Sequence, residues 1–286
     1  MVTSSASGFA LFSSPSVRFR CLHRQKHRSK RAALMIRNTG NKNKNKNKRI
    51  SCGDAIVNDS VSKIPPKSHS AFDVIVVGNG PLGAALGLHL SASLSSLSSS
   101  RKSVLILDSG SESLSSGSDD LGRIVRPLDA EGRDEWTQLN IDSIESFAKI
   151  QEESEIAFFE KKGSLSIGSQ AFVSKPASLL TAKKIEHEIL RGREEICEKF
   201  AYLNRGTIPE EYVAVSDRVG GYVSPHKMRA AFNRLAVKKN EERTVVCVQT
   251  AEEIIWTDDD GGFVKVRTTD GNVYAAREKV FLACGY

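Results

Sequence analysis

Acidic residues are absent from the first 53 positions, which carry 13 lysines and arginines before the first carboxylate appears at Asp54. The formal charge of +7 over 286 residues is therefore a property of the leader, because residues 54–286 hold 28 basic against 34 acidic groups, a net of −6. Phosphate binding needs a basic footprint, so this argues against nucleic acid as the partner of the body. Long apolar runs are also missing, and none approaches the ~18 residues that a spanning helix requires. Cysteine is sparse: Cys21, Cys52, Cys197, Cys247 and Cys284 show no CxxC spacing, which supports neither a disulfide framework nor a zinc site. Cys247 and Cys284 lie in apolar strand patterns, which predicts buried, inert thiols. With 40% hydrophobic and 26% charged residues, the composition is that of a soluble globular chain. Beyond the leader, about 230 residues suffice for one large domain or two small ones.

The leader opens with Ser4, Ser5, Ser7, Ser13, Ser14 and Ser16 and then becomes rich in Arg and Lys. That composition predicts an organellar transit peptide over residues 1–52, not a secretory signal, whose apolar core is missing. Ile50-Ser51-Cys52 before Gly53 resembles the small-residue processing site of plastid precursors, so the expected compartment is the chloroplast, with the mitochondrion as alternative. The Asn-Lys alternation from Asn41 to Lys48 reads as a solvated low-complexity tract. Residues 53–72, with Asn58, Ser60, Pro65 and Pro66, read as a linker.

The body starts with Phe72-Asp73-Val74-Ile75-Val76-Val77, a β-branched run of the kind found in a strand buried on both faces of a parallel sheet. It runs into Gly78-Asn79-Gly80-Pro81-Leu82-Gly83, and a small-residue helix follows from Ala84 to Leu94. A serine tract then leads to a second buried strand, Lys102 to Asp108. Strand, glycine turn, helix, strand and terminal acid together make a βαβ unit. Farther on, helices are predicted over 133–153 and 176–202, the latter from the spacing of Leu179, Leu180, Ile185, Ile189 and Ile196. Short strands are expected near 163–168, a helix over Met228–Lys239 and a strand over Thr244–Val248. Three short strands, Ile254–Trp256, Phe263–Thr268 and Val273–Ala275, are punctuated by the turn signals 259–262 and 269–272. A separate buried strand from Lys279 to Gly285 is expected last.

A lone GxGxxG is weak evidence, but here it follows a buried strand and opens a helix, the context a dinucleotide fingerprint requires. Gly78 permits the tight turn, Gly80 lets the backbone approach a pyrophosphate, and Gly83 allows close packing of helix on strand. Pro81 and Leu82 complete the loop, and the helix N-terminus offers N–H groups and partial positive charge. Asp108 is placed to accept from an adenosine ribose and to repel a 2′-phosphate, which disfavours NADP. Its separation of 30 residues from Gly78 exceeds the usual ~20, the excess being the serine tract. An NAD domain would continue promptly into a third strand, whereas the next strand of parallel type, 244–248, lies more than a hundred residues on. A sheet interrupted in this way, with a β-meander crossover, resembles FAD-binding flavoproteins of the glutathione-reductase class. The expected fold is therefore α/β: an interrupted Rossmann-like FAD-binding domain (73–125 and 221–286) plus part of an α+β substrate domain (126–220).

Further segments narrow the resemblance. Gly117-Ser118-Asp119-Asp120-Leu121-Gly122-Arg123-Ile124-Val125-Arg126 is similar to the S-H-G-x-x-R-I-I-R segment of the D-amino-acid oxidase and sarcosine/glycine oxidase family. Gly220 to Pro225 resembles its GG-x-V-x-P segment, and Val280 to Tyr286 its V-V-x-A-x-G-A-W/Y strand end. The resemblance implies FAD as cofactor, with Gly78, Gly80, Gly83 and Asp108 holding the ADP half and Val246 touching it through backbone groups. It also places Arg123 near the flavin and makes Arg126 a candidate for gripping a substrate carboxylate. Asp119 stands where the family has histidine, and the family's chains continue beyond the counterpart of Tyr286, so a C-terminally truncated member is the expectation. His226 and His89 read as surface or packing residues, Trp136 reads as a core or interdomain filler, and no general base stands out. The implied activity is oxidation of a small amine, amino acid or hydroxy acid by hydride transfer to flavin, with a small-molecule substrate and no nucleic-acid partner. The rival readings are a non-catalytic flavoprotein-like module and an NAD-binding protein.

Overall fold

The computed structural model describes residues 19–20, 70–93, 102–110, 122–240, 243–256 and 263–284. The predicted transit peptide, apart from two residues, lies outside the described residues, as do the linker to residue 69, the serine tract from 94, positions 117–121 of the arginine segment, and Tyr286.

In chain order, β1 (Phe19–Arg20) is followed by β2 (Ala71–Val77), α1 (Pro81–Ser93) and β3 (Val104–Asp108). Next come β4 (Arg123–Val125), α2 (Asp134–Ser154), β5 (Phe159–Lys161), β6 (Ser164–Gly168), α3 (Gln170–Ala182), β7 (His187–Arg191) and α4 (Gly192–Lys199). The chain closes with β8 (Val213–Asp217), β9 (Gly221–Val223), α5 (Pro225–Lys239), β10 (Thr244–Val248), β11 (Ala251–Trp256), β12 (Val264–Thr268) and β13 (Val273–Leu282).

A seven-stranded sheet in the order β1-β11-β12-β13-β2-β3-β10 organises the molecule. Its four strands β13, β2, β3 and β10 run parallel, and β11, β12 and β13 form an antiparallel meander. This is the interrupted Rossmann-like sheet with a meander crossover that the βαβ pattern and the late strands predict. Burial explains the composition of the strands: Ile75, Val76, Val104, Leu105, Ile106 and Leu107 are at most 1% exposed, because helices and meander cover both faces. On one face α1 lies close. A Cβ on its Gly87 would overlap the end of Ile106, so only a small residue lets helix and sheet approach this far. Helix α5 packs along α1, with Ala84, Leu88, Ala230, Ala231 and Leu235 in one buried cluster.

Two three-stranded antiparallel sheets, β4-β9-β5 and β6-β8-β7, are contributed by the interruption between β3 and α5. Helix α2 spans 134–154, close to the expected 133–153.

Two expectations need correction. The helix predicted over 176–202 is instead α3, β7 and α4. Helix α3 stops where Lys184 turns left-handed (φ 58°), and Ile185 N–H closes the turn on Leu180 O. Residues 187–191 then pair with β8, a long-range ladder that overrides the near-helical spacing, and Ile189 is left 38% exposed. The second correction joins Val273–Ala275 to the predicted final strand as a single ten-residue strand, β13, with a register shift between Ala276 and Lys279. Val273–Ala276 of β13 pair with β12 and Ala275–Leu282 pair with β2 on the other side, so one strand serves both meander and parallel sheet.

Candidate cofactor-binding site

The carboxyl ends of β2, β3 and β13 meet in register, with Val77 level with Leu107 and Leu282. Gly78 leaves β2 between them: its N–H donates to Leu107 O (2.9 Å), and Ala283 N–H donates to Val77 O (2.7 Å). Its φ of +102° is a conformation that side-chain-bearing residues rarely adopt. A Cβ there would also lie 2.5 Å from Ala283 O. At Gly83 a Cβ would be 2.9 Å from the Gly78 carbonyl carbon and closer still to its oxygen, so the first turn of α1 rests directly on the loop.

Gly80 is different. A Cβ built on it meets nothing within 4 Å, so the backbone faces open space. Helix α1 begins at Pro81, which has no N–H, and Ala84 N–H already donates to Gly80 O. The amides of Leu82 and Gly83 are left without intrahelical partners, at the positive end of a helix whose first turn carries no acidic residue. Leu82 is 81% exposed at the rim of this opening.

Asp108 ends β3 beside the loop. Its Oδ2 accepts from Asn79 Nδ2 (3.1 Å) and its Oδ1 from Gly110 N–H (3.1 Å), while the Arg229 guanidinium of α5 stands 3.7 Å from Oδ2. Asn79 is 3% exposed and its own Oδ1 is buried without a hydrogen-bond partner. Buried polar atoms are nearly always satisfied, so this acceptor stands out at the edge of the loop. Open space over Gly80, unpaired amides and a carboxylate together suit the diphosphate and ribose hydroxyls of an adenine dinucleotide.

The match extends along the chain. The family model of the DAO FAD-dependent oxidoreductases covers residues 73–286. The chain belongs to this family.

Among curated relatives, it is 27% identical over 213 residues to monomeric sarcosine oxidase of Bacillus sp. strain NS-129, covering 73% of this chain and 50% of that protein. It is 26% identical over 210 residues to the Arthrobacter sp. strain TE1826 enzyme of the same name, covering 72% and 50%. The chain thus spans about half the length of the curated relatives it matches. Solved structures share the fold: the amino acid oxidase NikD has a TM-score of 0.58 at 22% identity, over 76% of this chain and 52% of that one. Glycine oxidase from Geobacillus kaustophilus has a TM-score of 0.56 at 19% identity, over 76% and 56%. The family's cofactor is FAD, and the edge just described has the chemistry to hold its ADP half.

The other sequence candidates are scattered. Val246 is level with Ile106, two positions short of the Asp108 level in β10, and its side chain is buried among Val74, Val76 and Val104. Arg123 opens β4 opposite Val223 of β9, and Arg126 follows the strand; both are exposed, and Val223 itself packs in the buried cluster that holds Ala84 of α1. Within β9, the partner strand of β4, Tyr222 donates to Glu160, and that hydrogen bond pushes the phenol's pKa up. His89 is exposed and His226 half-buried in the first turn of α5.

Two assignments change. Trp136 is 49% exposed under the Arg133 guanidinium (5.6 Å to the ring centroid), not a filler, because α2 turns Ile141 and Ile144 inward instead. Cys284 is exposed, since β13 has ended and only its backbone packs against Gly78. Cys247 is buried as expected, and desolvation, reinforced by Asp270 and Asp108, pushes its thiol to about 12. Asn79 and Arg229 escaped the sequence reading. Asn79 occupies a variable position of the glycine motif, and Arg229 lies 121 residues beyond the acid it faces.

Proposed function

We propose that the whole protein oxidises a small amine or amino acid, with FAD held by its ADP half on the edge formed by Gly78, Gly80, Gly83 and Asp108. One observation carries this reading: the open, amide-lined space above Gly80 adjoins a ribose-type carboxylate inside a chain that matches the family model over residues 73–286. FAD held by these residues would supply a hydride acceptor for oxidation at the carbon next to the substrate nitrogen. The chain's own work is binding and orientation. The amides of Leu82 and Gly83 face the diphosphate, and the Asp108 carboxylate accepts from ribose hydroxyls. Arg126, and Arg123 beside it, offer planar guanidinium donors suited to a substrate carboxylate. Related proteins are a sarcosine oxidase and a glycine oxidase, which sets the substrate class to try first. The leader's composition supports import into a plastid.

The test is purification of the longest product of the gene, with flavin extraction and an oxygen-uptake screen across N-methyl amino acids, amino acids and hydroxy acids. Bound FAD with turnover on an amine supports the proposal. Bound FAD with no turnover on any substrate moves the protein to the non-catalytic reading, and nicotinamide binding without flavin overturns both. Among the described residues no helix is long and apolar enough to cross a membrane.

A further inference from the structure

The ribose-type acid is not held by its own βαβ unit alone. Asp108 Oδ2 is approached from two sides, by Asn79 Nδ2 from the glycine loop and by the Arg229 guanidinium from α5. Both members of the ion pair are mostly covered, with side-chain exposures of 17% for Asp108 and 23% for Arg229. A carboxylate that sheltered needs compensation, and solvent screens the pair far less than it would at an open surface.

We propose that Arg229 is a positioning residue for dinucleotide binding: it fixes the Asp108 carboxylate so that Oδ1 is presented to the adenosine ribose. A carboxylate has about four lone-pair sites. Oδ2 is committed to Asn79 and Arg229, whereas Oδ1 accepts only the Gly110 N–H among the bonds described and keeps a site for a ribose hydroxyl. At 3.7 Å the guanidinium acts as a neighbouring charge more than as a hydrogen-bond donor, so it steadies the carboxylate without occupying the second oxygen. Arg229 is supplied by the helix that follows the whole interruption in the chain. Helix α5 follows β9 directly and packs along α1, so docking of the returning segment completes the site begun by Gly78 and Asp108.

The inference rests on the proposed dinucleotide function, and one titration set separates the two. FAD and ADP binding are measured on the full chain for the parent, Asp108→Asn, Arg229→Leu, Arg229→Lys and the double variant Asp108→Asn/Arg229→Leu, with a melting curve for each. Asp108→Asn weakens both ligands by about tenfold or more, as expected for loss of a charge-assisted acceptor. Arg229→Leu weakens them by about fivefold to tenfold, Arg229→Lys recovers most of that loss, and in the Asp108→Asn background the leucine adds less than about twofold. A purely structural role for Arg229 would instead give equal losses in both backgrounds and no rescue by lysine, and that overturns the inference. If Asp108→Asn loses affinity while Arg229→Leu keeps it, only the Arg229 role fails. If the parent binds neither ligand, or Asp108→Asn binds as the parent does, the dinucleotide reading fails and takes this inference with it.

Discussion

Replacing Gly80 by valine separates binding from folding at the glycine loop. No atom lies within 4 Å of a Cβ at this position, so the side chain enters open space and displaces nothing in the protein. Gly80 precedes the first residue of α1 and so caps it, and a β-branched residue is a poorer cap than glycine by roughly 0.5–1 kcal/mol. For a body of this size that lowers the melting temperature by about 2–4 °C at most. The same branched side chain fills the space over the Leu82 and Gly83 amides. Losing two charge-assisted hydrogen bonds to a diphosphate, at about 1.5 kcal/mol each or more, weakens ADP and FAD by at least about 100-fold. Gly83→Ala is the counterpart: its Cβ collides with the Gly78 carbonyl, α1 has to move, and both affinity and about 1–3 kcal/mol of stability are lost. Calorimetric titration with ADP, paired with thermal denaturation, reads both quantities. A Gly80→Val chain that binds ADP within about threefold of the parent would refute the placement of the diphosphate on these amides.

Acid should weaken the sheet through Asp73. Desolvation alone would raise its carboxyl pKa, but hydrogen bonds from the Ser103 N–H and hydroxyl and from Arg277 outweigh it and hold the value below the ordinary 3.8. Its contribution is therefore complete above that value and lost as pH falls through the lower folded-state pKa, and urea midpoints for Asp73→Asn should be flatter than the parent's below pH 4. Tyr274→Phe should cost about 1–2 kcal/mol with an unchanged urea slope, because the fully buried hydroxyl donates to Gln249 Oε1 at 2.6 Å. Peptide-resolved alkylation of the native chain at pH 8 should label Cys284 quickly and Cys247 slowly, since burial pushes the latter's thiol to about 12. Equal labelling of the two would contradict the burial of Cys247.

Much of the site was legible without coordinates because its signals are local. The glycines, the buried runs on either side and the acid at the strand end lie within 37 residues, and each obeys a steric rule that holds wherever such a turn occurs. The parallel sheet and the meander were legible for the same reason, through β-branched runs and turn residues. Where local signals misled, a distant partner was responsible. Residues 187–191 have helical spacing, yet β8 offers them a ladder and they become a strand. Val273–Leu282 reads as two pieces, yet β12 and β2 flank it on opposite sides, overlap at Ala275 and Ala276, and hold it as one strand.

By itself, then, the sequence determined the βαβ unit, the glycine loop and the acid that ends β3, because those depend on backbone sterics between neighbours. Only the tertiary structure decided that Asn79 and Arg229 converge on Asp108, that Trp136 and Cys284 face solvent, and that Arg123 opens a strand of a separate sheet. Those outcomes depend on which faces of α2 and α5 are buried and on strand pairing across more than a hundred residues, and no window along the chain carries that information.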